Sequence, residues 1–155
     1  MNRTIINVII AVLVCFCVGI TARWFQTESL VEWYPNLVKS GLTPPNSVFP
    51  IVWGILYLCI GISGGLMISV KNANKTIPMV LFVLQLLFNF LWSYTFFYLQ
   101  NPLLGLVNIL ILDIVVVWYT VCVYPIKKVS AWLFLPYIIW VVFATYLNAF
   151  IYFLN

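Results

Sequence analysis

Five apolar runs occupy most of this chain: Ile5–Phe25, Val48–Val70, Pro78–Leu99, Pro102–Tyr124 and Ala131–Phe153. Each holds about 21 to 23 residues, and at about 1.5 Å per residue each can cross a hydrocarbon core about 30 Å thick. The expected fold is therefore an all-α integral membrane protein, one transmembrane domain over residues 1–155 built as a five-helix bundle. Charged residues make up only 6% of the chain, too few to coat a water-soluble globule. The net charge of +4 is scattered without a basic block, so nucleic acid is not an expected partner. The first run is too long for a signal-peptide core. It leads into Thr21-Ala22-Arg23-Trp24, which is not a small-x-small cleavage site, so it is read as a retained helix.

Histidine is absent, which removes the commonest metal ligand and the usual haem axial ligand. Cys15, Cys17, Cys59 and Cys122 all fall inside runs without metal-site spacing, and Cys15 and Cys17 point to different helix faces. They are read as buried thiols acting as small apolar residues. No metal site, catalytic residue or required cofactor is assigned. A tetrapyrrole held by such a chain would be gripped by shape and stacking.

Helix punctuation marks the run boundaries. Pro78 and Pro102 suit first helical turns, Asn101 and Ser130 suit N-caps, and Pro125 follows the fourth run. The two residues Gln100–Asn101 predict an antiparallel hairpin of the third and fourth runs. The only long connection, Gln26–Ser47, carries Trp33-Tyr34, Lys39, Gly41 and Pro44-Pro45, and is expected to form a lid. Arg3, Lys71, Lys75, Lys127 and Lys128 would share one end of the bundle, with Arg23 and Lys39 at the other. That bias predicts a cytoplasmic N-terminus, and the membrane is expected to be that of a bacterial cell. Trp24, Trp33 and Trp132 are expected as interfacial anchors.

Three stripes interrupt the hydrophobic pattern at helical spacing: Trp53, Tyr57, Gly61 and Gly64; Gln85, Asn89, Trp92 and Phe96; Tyr137, Trp140, Ala144 and Asn148. Unsatisfied polar groups at mid-bilayer are costly. Two readings follow: hydrogen bonds between helices, each worth about 1 kcal/mol, or the wall of a shared cavity. A cavity of indoles and amides suits a flat, largely apolar, amphipathic ligand held by ring stacking. Asp113, the only acid within a run, is expected to be neutral, hydrogen-bonded or near water. It serves either a structural hydrogen bond or, as the alternative function, a proton-coupled transporter of a small hydrophobic substrate. Ala11, Cys15 and Gly19, and the small-xxx-small pair within Gly61–Gly65, offer close helix approach within the chain or in a homodimer.

These segments resemble the tryptophan-rich sensory protein / translocator protein (TspO/MBR) family, also called peripheral-type benzodiazepine receptors. The matching stretches are Trp33–Lys39 with Thr43-Pro44-Pro45, Val48–Trp53 through Tyr57, Gln85–Trp92 with Phe96-Phe97, and Pro136–Trp140 with Ala144–Asn148. The resemblance implies a five-helix bundle, commonly dimeric, with a cavity closed by the first loop. It also implies binding of porphyrins such as protoporphyrin IX, of sterols in some members, and of synthetic benzodiazepine or isoquinoline carboxamide ligands. Carried onto this sequence, the ligand-binding residues would be Tyr34, Pro44, Trp53, Tyr57, Asn89, Trp92, Trp140 and Ala144. Light-driven porphyrin breakdown, attributed to two tryptophans in some bacterial relatives, would fall to Trp53 and Trp140. Two departures stand out: Lys39-Ser40 replaces the usual Lys-Pro, predicting a less stiff lid, and no basic residue follows Tyr146 or Tyr152, so the sterol motif is missing.

Overall fold

The computed structural model describes residues 3–155. Its long helices are α1 (Arg3–Trp24), α3 (Val48–Ser69), α4 (Thr76–Trp92), α5 (Pro102–Val123) and α7 (Leu135–Leu154), joined through short helices α2 (Thr27–Glu32) and α6 (Lys128–Trp132). Five helical segments are long and apolar enough to span a membrane. Their outward faces are aliphatic: Ile9 and Leu13 on α1, Val83 on α4, Ile114 and Val121 on α5 and Ile139 on α7 are all exposed. Such a continuous apolar surface would be a liability in water and is the normal condition in lipid.

Close approach of α1 and α3 organises one side of the bundle. A Cβ on Gly61 would strike the Val12 backbone, and one on Gly65 would strike the backbone at Val8. Ala11 and Cys15 are buried at 5% and 0% exposure. The small-residue stripes therefore serve packing within the chain. On the other side α4 packs on α5 and α5 on α7, as the two-residue hairpin predicts, whereas α3 meets α4 and α7 only along short stretches. That divergence leaves room between them.

Local departures from the sequence pattern have identifiable causes. The Asn101 side chain caps α5 by accepting from Leu104 N–H at 3.0 Å. Ser130 is not an N-cap; it lies inside α6, where its carbonyl accepts from Ser63 Oγ at 2.8 Å. The fifth run is broken into α6 and α7 at Leu133-Phe134. Pro136 has no N–H to continue the ladder and its ring crowds the preceding turn. Beyond Trp92, α4 widens into a π-helical segment, Ser93–Tyr98, where Leu99 N–H reaches the Tyr94 carbonyl five residues back at 2.9 Å. Thr95 Oγ1 donates to the Leu91 carbonyl at 2.9 Å within that turn, the kind of side-chain intrusion that loosens a helix ladder.

The long first connection is more ordered than a plain loop, containing α2 and a 3₁₀ turn at Tyr34–Asn36. It is pinned to both ends of its path. Ser29 Oγ donates to the Phe97 carbonyl at 2.5 Å, and the Lys39 ammonium donates to the carbonyls of Tyr34, Pro35 and Leu37 at 2.8, 3.1 and 3.1 Å. Ser40 is buried and its hydroxyl lies 2.9 Å from Tyr146 Oη. The Asn155 amide pairs with both N–H and C=O of Val38, at 2.8 and 3.1 Å. The expected loss of lid stiffness at Ser40 is thus offset: serine supplies a hydrogen bond to α7 that proline could not. Trp33 is not a simple interfacial anchor, since its ring packs edge-on to Phe96 at 5.5 Å. Trp24 and Trp132 are exposed at 82% and 59%, as anchors would be.

Candidate functional site

Where α3 diverges from α4 and α7, a cavity of about 410 Å³ opens beneath the first connection. That volume falls within the range typical of small-molecule sites. Six of the eight residues expected to bind a ligand border it: Tyr34 from the 3₁₀ turn, Trp53 and Tyr57 from α3, Asn89 and Trp92 from α4, and Ala144 from α7. The rings are mutually braced. Trp53 stacks on Tyr57 with centroids 5.4 Å apart at 30°, and Trp92 stacks on Phe96 at 5.6 Å and 17°.

Two amides, Asn89 and Asn148, hold Tyr57 and Trp92 in place. Tyr57 Oη donates to Asn89 Oδ1 at 2.7 Å, and Asn89 Nδ2 donates to Tyr137 Oη at 3.0 Å. Trp92 Nε1–H donates to Asn148 Oδ1 at 3.0 Å, while Asn148 Nδ2 donates to the Pro102 carbonyl at 2.8 Å. Interhelical bonding and cavity lining, which the sequence left as rival readings, are performed by the same residues. Tyr57 and Trp92 are each fixed by a buried bond, and Trp53 and Phe96 stack on them, so the wall is preorganised.

Two expected members lie elsewhere. Pro44 does not border the cavity. Trp140 stands behind it, edge-on to Phe49 at 5.8 Å, and Phe49 is the residue that reaches the wall. The void meets only the C-terminal half of α7, through Ala144, Leu147, Asn148 and Ile151, and Phe49 fills the place one turn earlier, in front of Trp140. Gln85 is fully buried off the wall, and Tyr137 forms a second layer behind Asn89. Asp113 is also remote from the cavity; its Oδ2 accepts from Thr145 Oγ1 at 2.7 Å, a bond between α5 and α7. A proton route through the cavity has no support from its position.

Sequence reasoning missed the contribution of α1, whose Phe16, Gly19, Ile20 and Arg23 form one flank. Their 3–4 spacing was available as a signal, but the run carries no polar-aromatic stripe to draw notice. Gly19 is required there because a Cβ would collide with the Tyr57 ring. Phe97 was also missed as a wall residue. Phe96 and Phe97 lie in the wider π turn, and both are buried, at 2% and 7% exposure, with centroids 4.8 Å apart.

Among the described residues, no group of His, Cys, Asp or Glu could hold a metal ion. What the wall offers is aromatic faces beside the bonded amides of Asn89 and Asn148.

A family model, the TspO/MBR family, matches residues 11–154. The Tryptophan-rich protein TspO of Archaeoglobus fulgidus is 41% identical over 153 residues, covering 97% of this chain and 98% of the relative. Protein CrtK of Rhodobacter capsulatus is 30% identical, covering 91% and 88%. The human Translocator protein is 31% identical, covering 86% of this chain and 79% of its own length.

Proposed function

The chain belongs to the TspO/MBR family of integral membrane proteins, and on that premise we propose that it is a receptor for porphyrin-type tetrapyrroles, protoporphyrin IX in the first instance. The observation that carries this reading is the braced aromatic wall of Trp53, Tyr57, Trp92 and Phe96 around a void of about 410 Å³. A lipid-soluble ring gains little from leaving one apolar medium for another. Selectivity must come from stacking and shape, which this wall supplies. The same wall suits other flat hydrophobic drug-like molecules. A sensing or transport role and a homodimeric state are part of the proposal. The five basic residues at one end against two at the other support a cytoplasmic N-terminus.

Titration of the full-length protein in nanodiscs with protoporphyrin IX, followed by tryptophan quenching, tests the reading. Saturable quenching is expected, weakened about two- to twelvefold in Trp53→Leu, the loss of one aromatic contact worth about 0.5–1.5 kcal/mol. A flat titration would overturn it.

Light-driven breakdown of the bound ring is a second reading, favoured by the seat of Trp53 in the wall. Trp140 would then act at one ring's remove, through Phe49. Under illumination Trp53→Phe should lose a defined product before Trp140→Phe does; equal bleaching in both variants and the parent would leave passive binding.

A further inference from the structure

We propose that Arg23 anchors an anionic group, a carboxylate, on the molecule held in the cavity. The identity of the ligand's apolar body rests on the tetrapyrrole reading above; the demand for an acid does not. Arg23 is the only residue bordering the void that carries a formal charge. It sits in the last turn of α1, at the end of the bundle covered by the first connection.

Its side chain is uncommitted. Glu28, Glu32 and Asp113 are the only acids of the chain, and none pairs with it; among the described residues the guanidinium has no hydrogen-bond partner. The other cation at this end, Lys39, is fully spent on three carbonyls. Three of the wall's amides are also engaged. Gln26 Nε2 donates to Ser93 Oγ at 2.8 Å, and Asn89 and Asn148 are bound as described. A ligand entering this site therefore meets aromatic rings, the bonded amides of Asn89 and Asn148, and the guanidinium of Arg23 as its only charged neighbour. The matching molecule is an amphipathic acid, its ring against Trp53 and Trp92 and its carboxylate toward Arg23. A guanidinium presents paired N–H donors that fit a carboxylate, and it sheds water more readily than an ammonium.

The competing explanation is that Arg23 merely complements the C-terminal end of α1. Such a role is indifferent to the charge of a ligand, and this difference can be read directly. In nanodiscs, protoporphyrin IX is compared with its dimethyl ester, and 1-pyrenebutyric acid with its methyl ester, each corrected for partition into empty discs. The acid of each pair should bind about tenfold more tightly than the ester, the size of one charge-assisted hydrogen bond. That ratio should fall toward one in Arg23→Gln, persist largely in Arg23→Lys, and shrink with added salt in the unmodified protein. An acid-to-ester ratio near one in the unmodified protein, or a full ratio in Arg23→Gln, would overturn the assignment. If neither tetrapyrrole binds while pyrenebutyric acid shows the Arg23-dependent preference, the tetrapyrrole reading falls and the anion anchor stands. If no probe saturates, both fall.

Discussion

Replacing Asn89 with leucine tests whether the wall of the cavity is held by its amides. The substitution keeps the branched heavy-atom skeleton but removes two bonds, from Tyr57 at 2.7 Å and to Tyr137 at 3.0 Å. Hydrogen bonds between membrane helices average about 0.6 kcal/mol and reach about 1.7 kcal/mol. Two average bonds give about 1.2 kcal/mol by that measure. Both tyrosine hydroxyls sit in near-dry surroundings, at 7% and 0% exposure. Stranding them pushes the expected loss toward about 3 kcal/mol. Unfolding of the nanodisc- or bicelle-embedded protein by steric trapping would measure the loss. A double-mutant cycle with Tyr57→Phe would isolate one bond, with a coupling energy of about 0.6 to 1.7 kcal/mol expected. The reasoning fails if Asn89→Leu is as stable as the parent, or if Tyr57→Phe costs the same in both backgrounds.

Four other perturbations probe separate parts of the structure. Gly65→Leu forces α1 away from α3 at Val8 and should destabilise the bundle by at least about 1–3 kcal/mol in the same unfolding assay. Asn155→Ala combined with Tyr146→Phe removes three contacts holding the first connection and should raise amide exchange across residues 27–45 while leaving α5 protected. Asp113→Asn should cost less than about 1 kcal/mol, since an amide oxygen still accepts from Thr145, and ligand titration should be unaltered; loss of gradient-driven uptake in proteoliposomes would revive a transport role. Burial pushes the Tyr34 phenol above its ordinary value of 10.0. Between these two values an opened lid sheds a proton that a closed lid keeps, so closure is fully favoured below about 10 and weakens as pH rises through the window. A spin-label pair spanning the lid should report this opening, and Tyr34→Phe should abolish it.

Much of the bundle was legible because the relevant signals are local. Hydrophobic length fixed the number of spans, and Pro102 with Asn101 marked the start of α5 within one residue of its cap. Ser130 misled because an N-cap signal is only a preference, and here the backbone at Lys127 already starts the short helix. The stripes on the second and third runs pointed to wall residues because a single uninterrupted α-helix carries each of them as far as Trp92. The fifth-run stripe reached the wall only through Ala144 and Asn148, since Phe49 from α3 stands between Trp140 and the void, a tertiary contact that helical spacing does not carry.

What the amino-acid order settled by itself was the solvent, the number of crossings and the chemistry on offer: indoles, phenols and amides where lipid-facing helices carry only hydrocarbon. Those follow from burial energies that each segment experiences alone. Where the void lies was decided only in three dimensions. It exists because Gly61 and Gly65 let α3 lie flush on α1 while α4 and α7 are held against α5 instead. Its wall includes Arg23, Phe49 and Phe97 because helix divergence and a π turn, neither encoded in any short run of residues, rotate them inward. A cavity is the space that neighbouring elements fail to fill, so its outline is a property of their mutual packing.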